Sequence, residues 1–171
     1  MKSTSKQILK QLGLGKTISQ ICQDENITRT QFDSWWKSET KSRIPLTNGN
    51  KTLLKEGSAQ IYRDKWGVPH IYGSDSESLF FAYGYAMAQD RLWQMDYFKR
   101  RALGRLSEIL GPTEIEQDTV SKTVGLETIA ENEINNLPEE TLIKLDAFSD
   151  GINSLMKQSD LLPIEFDILD Y

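Results

Sequence analysis

Residues 61–105 read IYRDKWGVPHIYGSDSESLFFAYGYAMAQDRLWQMDYFKRRALGR. Residues 59–64 alternate well enough for a strand, Lys65-Trp66-Gly67 turns the chain, and residues 68–72 return as a second strand. Pro69 fits an edge or a strand start, where a missing N–H costs no ladder bond. Ser74-Asp-Ser-Glu77 is a capping-box pattern. From there apolar residues recur at helical spacing, at Leu79, Phe80, Tyr83, Met87, Leu92, Met95, Phe98 and Leu103, and predict one long helix. Gly84, Ala86 and Ala88 are small enough to let another backbone approach. Asp96 and Arg100 form an acid-first i,i+4 pair. Asp90 and Arg91 lie mid-helix between apolar residues, so either one needs a partner if it is buried.

Working outward toward the C-terminus, Gly104 marks a kink or break, residues 106–110 add a helical turn, and Gly111-Pro112 closes it. Residues 114–136 are acidic and weakly amphipathic, which predicts helix lying on a surface. Pro138 suits a first helical position, since its missing N–H is unused there. Leu142, Leu145, Phe148, Ile152 and Leu155 carry the next helix, with Asp150-Gly151 read as an interruption. Residues 161–171 (LLPIEFDILDY) read as extended.

Toward the N-terminus lies a different composition. The chain has 171 residues and a net charge of −5. Residues 1–51 carry nine Lys/Arg against four Asp/Glu (+5), and residues 52–171 carry eleven against twenty-one (−10). Such a split predicts two modules with different partners. Residues 1–43 are expected to form a small three-helix module, residues 44–57 a linker punctuated by Pro45, Asn48-Gly49-Asn50 and Gly57, and residues 58–171 the second module. In the first, Ser5 caps a short helix ended by Gly13 and Gly15, and Thr17 caps another. Asn26 suits a left-handed stop. Thr28-Arg-Thr-Gln31 is a capping box opening a helix with Phe32, Trp35 and Trp36 on one stripe.

The stretch ISQICQDENITRTQFDSWWKS resembles the helix-turn-helix family in spacing. By that resemblance Arg29, Thr30, Asp33, Ser34 and Lys37 face outward, and Arg29, Thr30, Ser34 and Lys37 are the candidate DNA-facing residues. The competing reading is a packing or protein-binding cap. Asp33 and Glu39 repel phosphate, one Arg stands at the helix start, and no dense basic arm flanks it. The −10 charge of the second module opposes general nucleic-acid affinity.

Other classes are narrowed by counting. One cysteine, Cys22, excludes an internal disulfide framework and a cysteine-based zinc site. It reads as a small buried hydrophobe. One histidine, His70, excludes a histidine cluster. It has no evident catalytic partner in the sequence and reads as a strand histidine held by a structural hydrogen bond. The longest apolar run, residues 79–88, is too short to span a bilayer. Residues 1–16 contain no continuous apolar core of a signal peptide, so the expected location is the cytoplasm.

RDKWGVPHIYG followed by GYAMAQDRLWQMDYFKRRALGRLSEILG is similar to the opening of the penicillin acylase family. Asp118, the segment AFSDGIN (residues 147–153) and LLPIEF (residues 161–166) continue the resemblance in order, so it covers residues 58–171. The resemblance implies an amidohydrolase of the N-terminal-nucleophile superfamily. The fold expected is mainly α with a short β-hairpin (α+β), a fragment of the αββα N-terminal-nucleophile hydrolase fold behind the three-helix module.

In that family a precursor is cut into α and β chains, and the first residue of β, a serine, attacks the amide with its own α-amino group as base. Substrates implied are linear amides of acylated amines, of β-lactam or acyl-homoserine-lactone type. The family's pocket residues, and its carboxylate for calcium where calcium is present, lie beyond the segment matching LLPIEF. No catalytic, cofactor or metal residue is therefore expected in this chain, and calcium is expected only in the complete enzyme. The partner implied is a β chain or a remaining α segment, with no membrane. Arg63, Asp64, Gly67, Pro69, His70, Asp90, Arg91, Arg100, Arg101 and Gly104 match the family and are expected to serve folding and docking. The alternative reading is a truncated product acting only through its helix-turn-helix-like part, on DNA or on a protein.

Overall fold

The computed structural model describes residues 2–44, 51–54 and 58–171. The chain divides into two compact units, residues 1–44 with 160–171, and residues 45–159.

The first unit contains α1 (Ser5–Gly13), α2 (Ile18–Glu25) and α3 (Arg29–Lys41). Each opens on the same device, a threonine with a glutamine three residues later. Thr4 with Gln7, Thr17 with Gln20 and Thr28 with Gln31 are complete capping boxes. The first cap is thus Thr4, not Ser5, because only Thr4 has a glutamine at the right spacing to close the box. Asn26 ends α2 in the left-handed region at φ 54°. Ile8, Ile21 and Phe32 form the core, with Cys22, Trp35 and Trp36 packed around it. Glu25 is buried and closes the unit's edge, accepting from the Ser3 amide at 2.9 Å and from the Ser3 hydroxyl at 2.5 Å.

Residues 164–169, read above as extended, form a helix (Ile164–Leu169, called α9 after the helices of the second unit below). Pro163 is its N-cap residue, and Asp170 ends it at φ 59°.

The second unit begins with a three-stranded antiparallel sheet in the order β1 (Lys51–Leu54), β2 (Ala59–Arg63), β3 (Pro69–Gly73). β1 lies inside the stretch expected to be linker. Its Leu54 pairs with Ala59 and is buried, and that burial favours a strand there. Alternation along β2 buries Ala59, Ile61 and Arg63 on one face. Ile61 is fully buried, a contribution of about 1.5–3 kcal/mol.

α4 (Ser76–Leu103) follows, capped by Asp75, whose carboxylate accepts from the Ser78 amide at 2.7 Å. The helix is continuous except at Arg91, where φ −144° and ψ 24° join two helical segments at a kink. α5 (Ser107–Leu110), a short 3-10 turn (Pro112–Glu114), α6 (Ile115–Val124) and α7 (Leu126–Ile134) come next. α8 (Glu139–Gln158) runs antiparallel to α4. Pro138 precedes it as the N-cap rather than opening it. Asp150-Gly151 does not interrupt α8. A Cβ on Gly151 would lie 2.0 Å from the Phe81 carbonyl, and one on Gly84 would lie 2.0 Å from the Phe148 carbonyl. The two glycines are the points where the helix backbones touch. The core here joins Leu54, Ala59 and Ile61 of the sheet to Phe81, Ala82, Tyr85 and Ala86 of α4 and Ala147 of α8.

Candidate functional site

One charge pair, Arg63 with Asp90, joins the hairpin to α4. Arg63 is 3% exposed. Its guanidinium donates to the Gly67 carbonyl at 3.0 Å, to Gln89 Oε1 at 3.0 Å, and to both Asp90 oxygens at 3.1 and 3.0 Å. Two N–H groups on two carboxylate oxygens make a bidentate pair, which fixes orientation as well as distance. It ties the end of β2 to α4 one residue before the kink.

Asp64 closes the turn. It accepts from the amides of Trp66 at 2.8 Å and Val68 at 3.0 Å, around Gly67 at φ +79°. Burial pushes its carboxyl up, but those two amides and His70 hold it below the usual aspartate range. His70 Nε2 lies 3.4 Å from Asp64 Oδ2, and the ring stands 6.2 Å from that of Tyr62 across the strand pair. The histidine thus has a carboxylate partner that the sequence did not reveal, supplied by the hairpin turn. Pro69 pairs with Arg63 at the start of β3.

Farther along α4, Arg91 is exposed and donates to Gln94 Oε1 at 2.8 Å. Arg100 joins Asp96 and Glu108, each at 2.8 Å. Arg101 is exposed in the last turn. Gly104 caps α4 at φ +63° with the Asp118 carbonyl against it, where no side chain fits. Asp118 is 6% exposed and accepts from the Leu106 and Ser107 amides, both at 2.8 Å. Burial pushes its carboxyl up, and the bonds from Ser107 and Leu106, with Lys122 near, bring it below the usual range. A carboxylate twelve residues downstream capping α5 is not a local sequence pattern, so the reading of Asp118 as a family feature carried no geometry.

Exposed apolar residues accompany these charges. Leu79, Tyr83, Ile71 and Phe80 line a shallow cavity of about 250 Å³. Tyr83 stacks on Phe148 with ring centroids 5.4 Å apart. Phe98, Trp66, Val68 and Tyr72 are also exposed. The described residues that line the cavity are apolar or aromatic.

In the first unit Arg29, Thr30, Asp33, Ser34 and Lys37 are all exposed on α3. Arg29 is paired with Asp33 at 2.8 Å, and the Ser34 hydroxyl donates back to the Thr30 carbonyl at 2.9 Å. The one arginine at the helix start is thus neutralised within its own helix. Among the described residues no group of three or more His, Cys, Asp or Glu side chains converges. No described helix is long and apolar enough to cross a membrane.

A small antiparallel sheet packed with a close-packed helix pair defines an α+β fold. The penicillin amidase family model matches residues 58–171, and the chain belongs to that family. It is 36% identical over 130 residues to the penicillin acylase 2 proenzyme of Pseudomonas sp. (strain SE83), covering 75% of this chain and 17% of the relative. It is 33% identical over 122 residues to penicillin G acylase of Escherichia coli (67% and 14%), and 32% over 136 residues to the acyl-homoserine lactone acylase QuiP of Pseudomonas aeruginosa (77% and 16%). The chain therefore spans about one sixth of the length of these relatives. The solved thermostable penicillin G acylase of Alcaligenes faecalis superposes with a TM-score of 0.61 at 30% identity, covering 67% of this chain and 63% of that one.

Proposed function

We propose that this chain is the N-terminal scaffold of a penicillin-acylase-like amidohydrolase acting on linear amides of acylated amines, of β-lactam or acyl-homoserine-lactone type. In this reading a β chain carries the N-terminal serine nucleophile and its amine base, and packs on the apolar surface around α4. Any calcium of the complete enzyme is held by residues outside this chain. The observation that carries the reading is the family match over residues 58–171, in which Arg63 and Asp90 join β2 to α4 and Asp118 joins α6 to the start of α5. Exposed Leu79, Tyr83 and Phe98 supply the surface that a second chain requires.

The test has two arms. The purified 171-residue chain is expected to release no product from a chromogenic acyl-anilide. A chimera in which residues 58–171 replace the matching stretch of the Pseudomonas sp. proenzyme is expected to mature and to hydrolyse the same substrate. Turnover by the chain alone, or a folded chimera that never matures, would overturn the proposal.

A further inference from the structure

The first 51 residues are basic, and the helix-turn-helix resemblance within them offers DNA as one candidate partner. The structure gives that charge another ligand. Residues 160–171 belong to the stretch matched by the penicillin amidase model, yet they fold with residues 1–44 as one compact unit. The segment carries Asp160, Glu165, Asp167 and Asp170 and no Lys or Arg. Lys10 meets Asp170 at 2.5 Å, and Lys6 lies 3.9 Å from Asp167. Arg43 has a side chain only 5% exposed. It donates to Asp167 Oδ2 and to the Leu162 carbonyl, both at 2.7 Å, while Glu39 holds it from its own helix at 2.7 Å. The backbones also touch: a Cβ on Gly13 would lie 1.7 Å from the Ile168 carbonyl. Gly13 therefore does more than end α1. It is the bare surface on which α9 rests.

We propose that residues 1–44 are a peptide-docking module whose ligand is the chain's own acidic helix, residues 164–169, recognised by a basic rim, one buried arginine and a glycine seat. The module thus retains a segment of the acylase-matching region. This inference does not depend on the amidohydrolase reading, because it concerns only contacts inside the first unit. A six-residue helix is far too short to hold its hydrogen bonds alone in water. Any protection of its amides therefore measures docking.

The experiment is amide hydrogen exchange on the full chain. In the wild type, amides of residues 166–171 are expected to exchange at least ~tenfold more slowly than in a free peptide of the same sequence. Gly13→Ala and Arg43→Ala are expected to abolish that protection, leaving the amides of α2 and of α8 unchanged. Asp167→Asn changes the ligand rather than the module, and is expected to loosen residues 166–171 alone even where a module variant unfolds the module. Free-peptide rates in the wild type, or full protection retained in both Gly13→Ala and Asp167→Asn, would overturn the proposal. The acylase assays above read hydrolysis and maturation, whereas exchange reads protection of residues 166–171, so failure of one reading is distinguishable from failure of the other.

Discussion

Arg63 and Asp118 solve the same problem, a buried charge, by different means. Arg63 finds a carboxylate on another element, with Gln89 and the Gly67 carbonyl taking its remaining donors. Asp118 is met by the Ser107 hydroxyl and by two backbone amides at a helix start, with Lys122 near. The sequence flagged Asp90 as needing a partner if buried. It could not name Arg63, because 27 residues separate them and only the strand–helix packing brings them together. Asp118 has a consequence for pH. Its carboxyl titrates below the ordinary aspartate value in the folded protein. Its stabilising effect is therefore present above about pH 3.9, the unfolded value, and is lost as pH falls through the lower folded value. Other depressed carboxylates, Glu25 and Asp64 among them, titrate alongside it, so the comparison must isolate Asp118. Asp118→Asn is expected to lower the urea midpoint at pH 7, with the wild-type and variant midpoints converging as the pH falls below 4. Curves that stay parallel would show that the ionised form of Asp118 does not stabilise the fold.

Among elements, the long helix and the hairpin were legible because their signals are local. Apolar spacing and a turn glycine fix α4, β2 and β3 without reference to distant residues, although the cap is Asp75, one residue past the Ser74 that the Ser74–Glu77 pattern pointed to. Where the reading failed, the deciding contact was remote. Gly151 looked like a break because glycine is a weak helix former, yet it lies within α8 with its bare face on the Phe81 carbonyl. Residues 164–169 looked extended because their helix is short and packs on α1. The three Thr–Gln boxes were only partly seen, since the first lies at Thr4, beside a serine that also caps well. The helix pair offers a magnitude test. On helix propensity alone, Gly151→Ala gains about 1 kcal/mol. A methyl group 2.0 Å from a backbone oxygen forces the helices apart, and overpacking of this kind costs about 1–3 kcal/mol. The clash wins, since backbone on both sides cannot rotate away. Gly151→Ala is expected to destabilise the second unit by about 1–2 kcal/mol, read as a lower thermal midpoint and faster amide exchange in α8. A variant more stable than wild type would mean that the helices can separate without loss.

For the molecule as a whole, two surfaces with different chemistry accompany the two-module charge split. The basic module holds an acidic helix from its own chain, and α4 leaves aromatic residues uncovered, Tyr83 and Phe98 among them. That division was partly legible: the charge asymmetry was visible, but its partner was not, because residues 160–171 are remote in sequence from residues 1–44. Phe98 separates stability from assembly. Its side chain is 52% exposed and meets Tyr97 edge-on with ring centroids 5.5 Å apart. Substitution at such a position shifts the stability of a free chain by about 0.5 kcal/mol or less. If the second chain of the proposed enzyme covers this face, the same position becomes an interface anchor, where loss of an aromatic costs about 2 kcal/mol or more of association. Phe98→Ser is therefore expected to leave the thermal midpoint of the isolated chain nearly unchanged. In the proenzyme chimera it is expected to reduce the yield of matured, active enzyme severalfold. Equal yields with and without Phe98 would place the docking surface elsewhere on the unit. A fall in the isolated chain's own midpoint would instead make Phe98 part of the scaffold's packing.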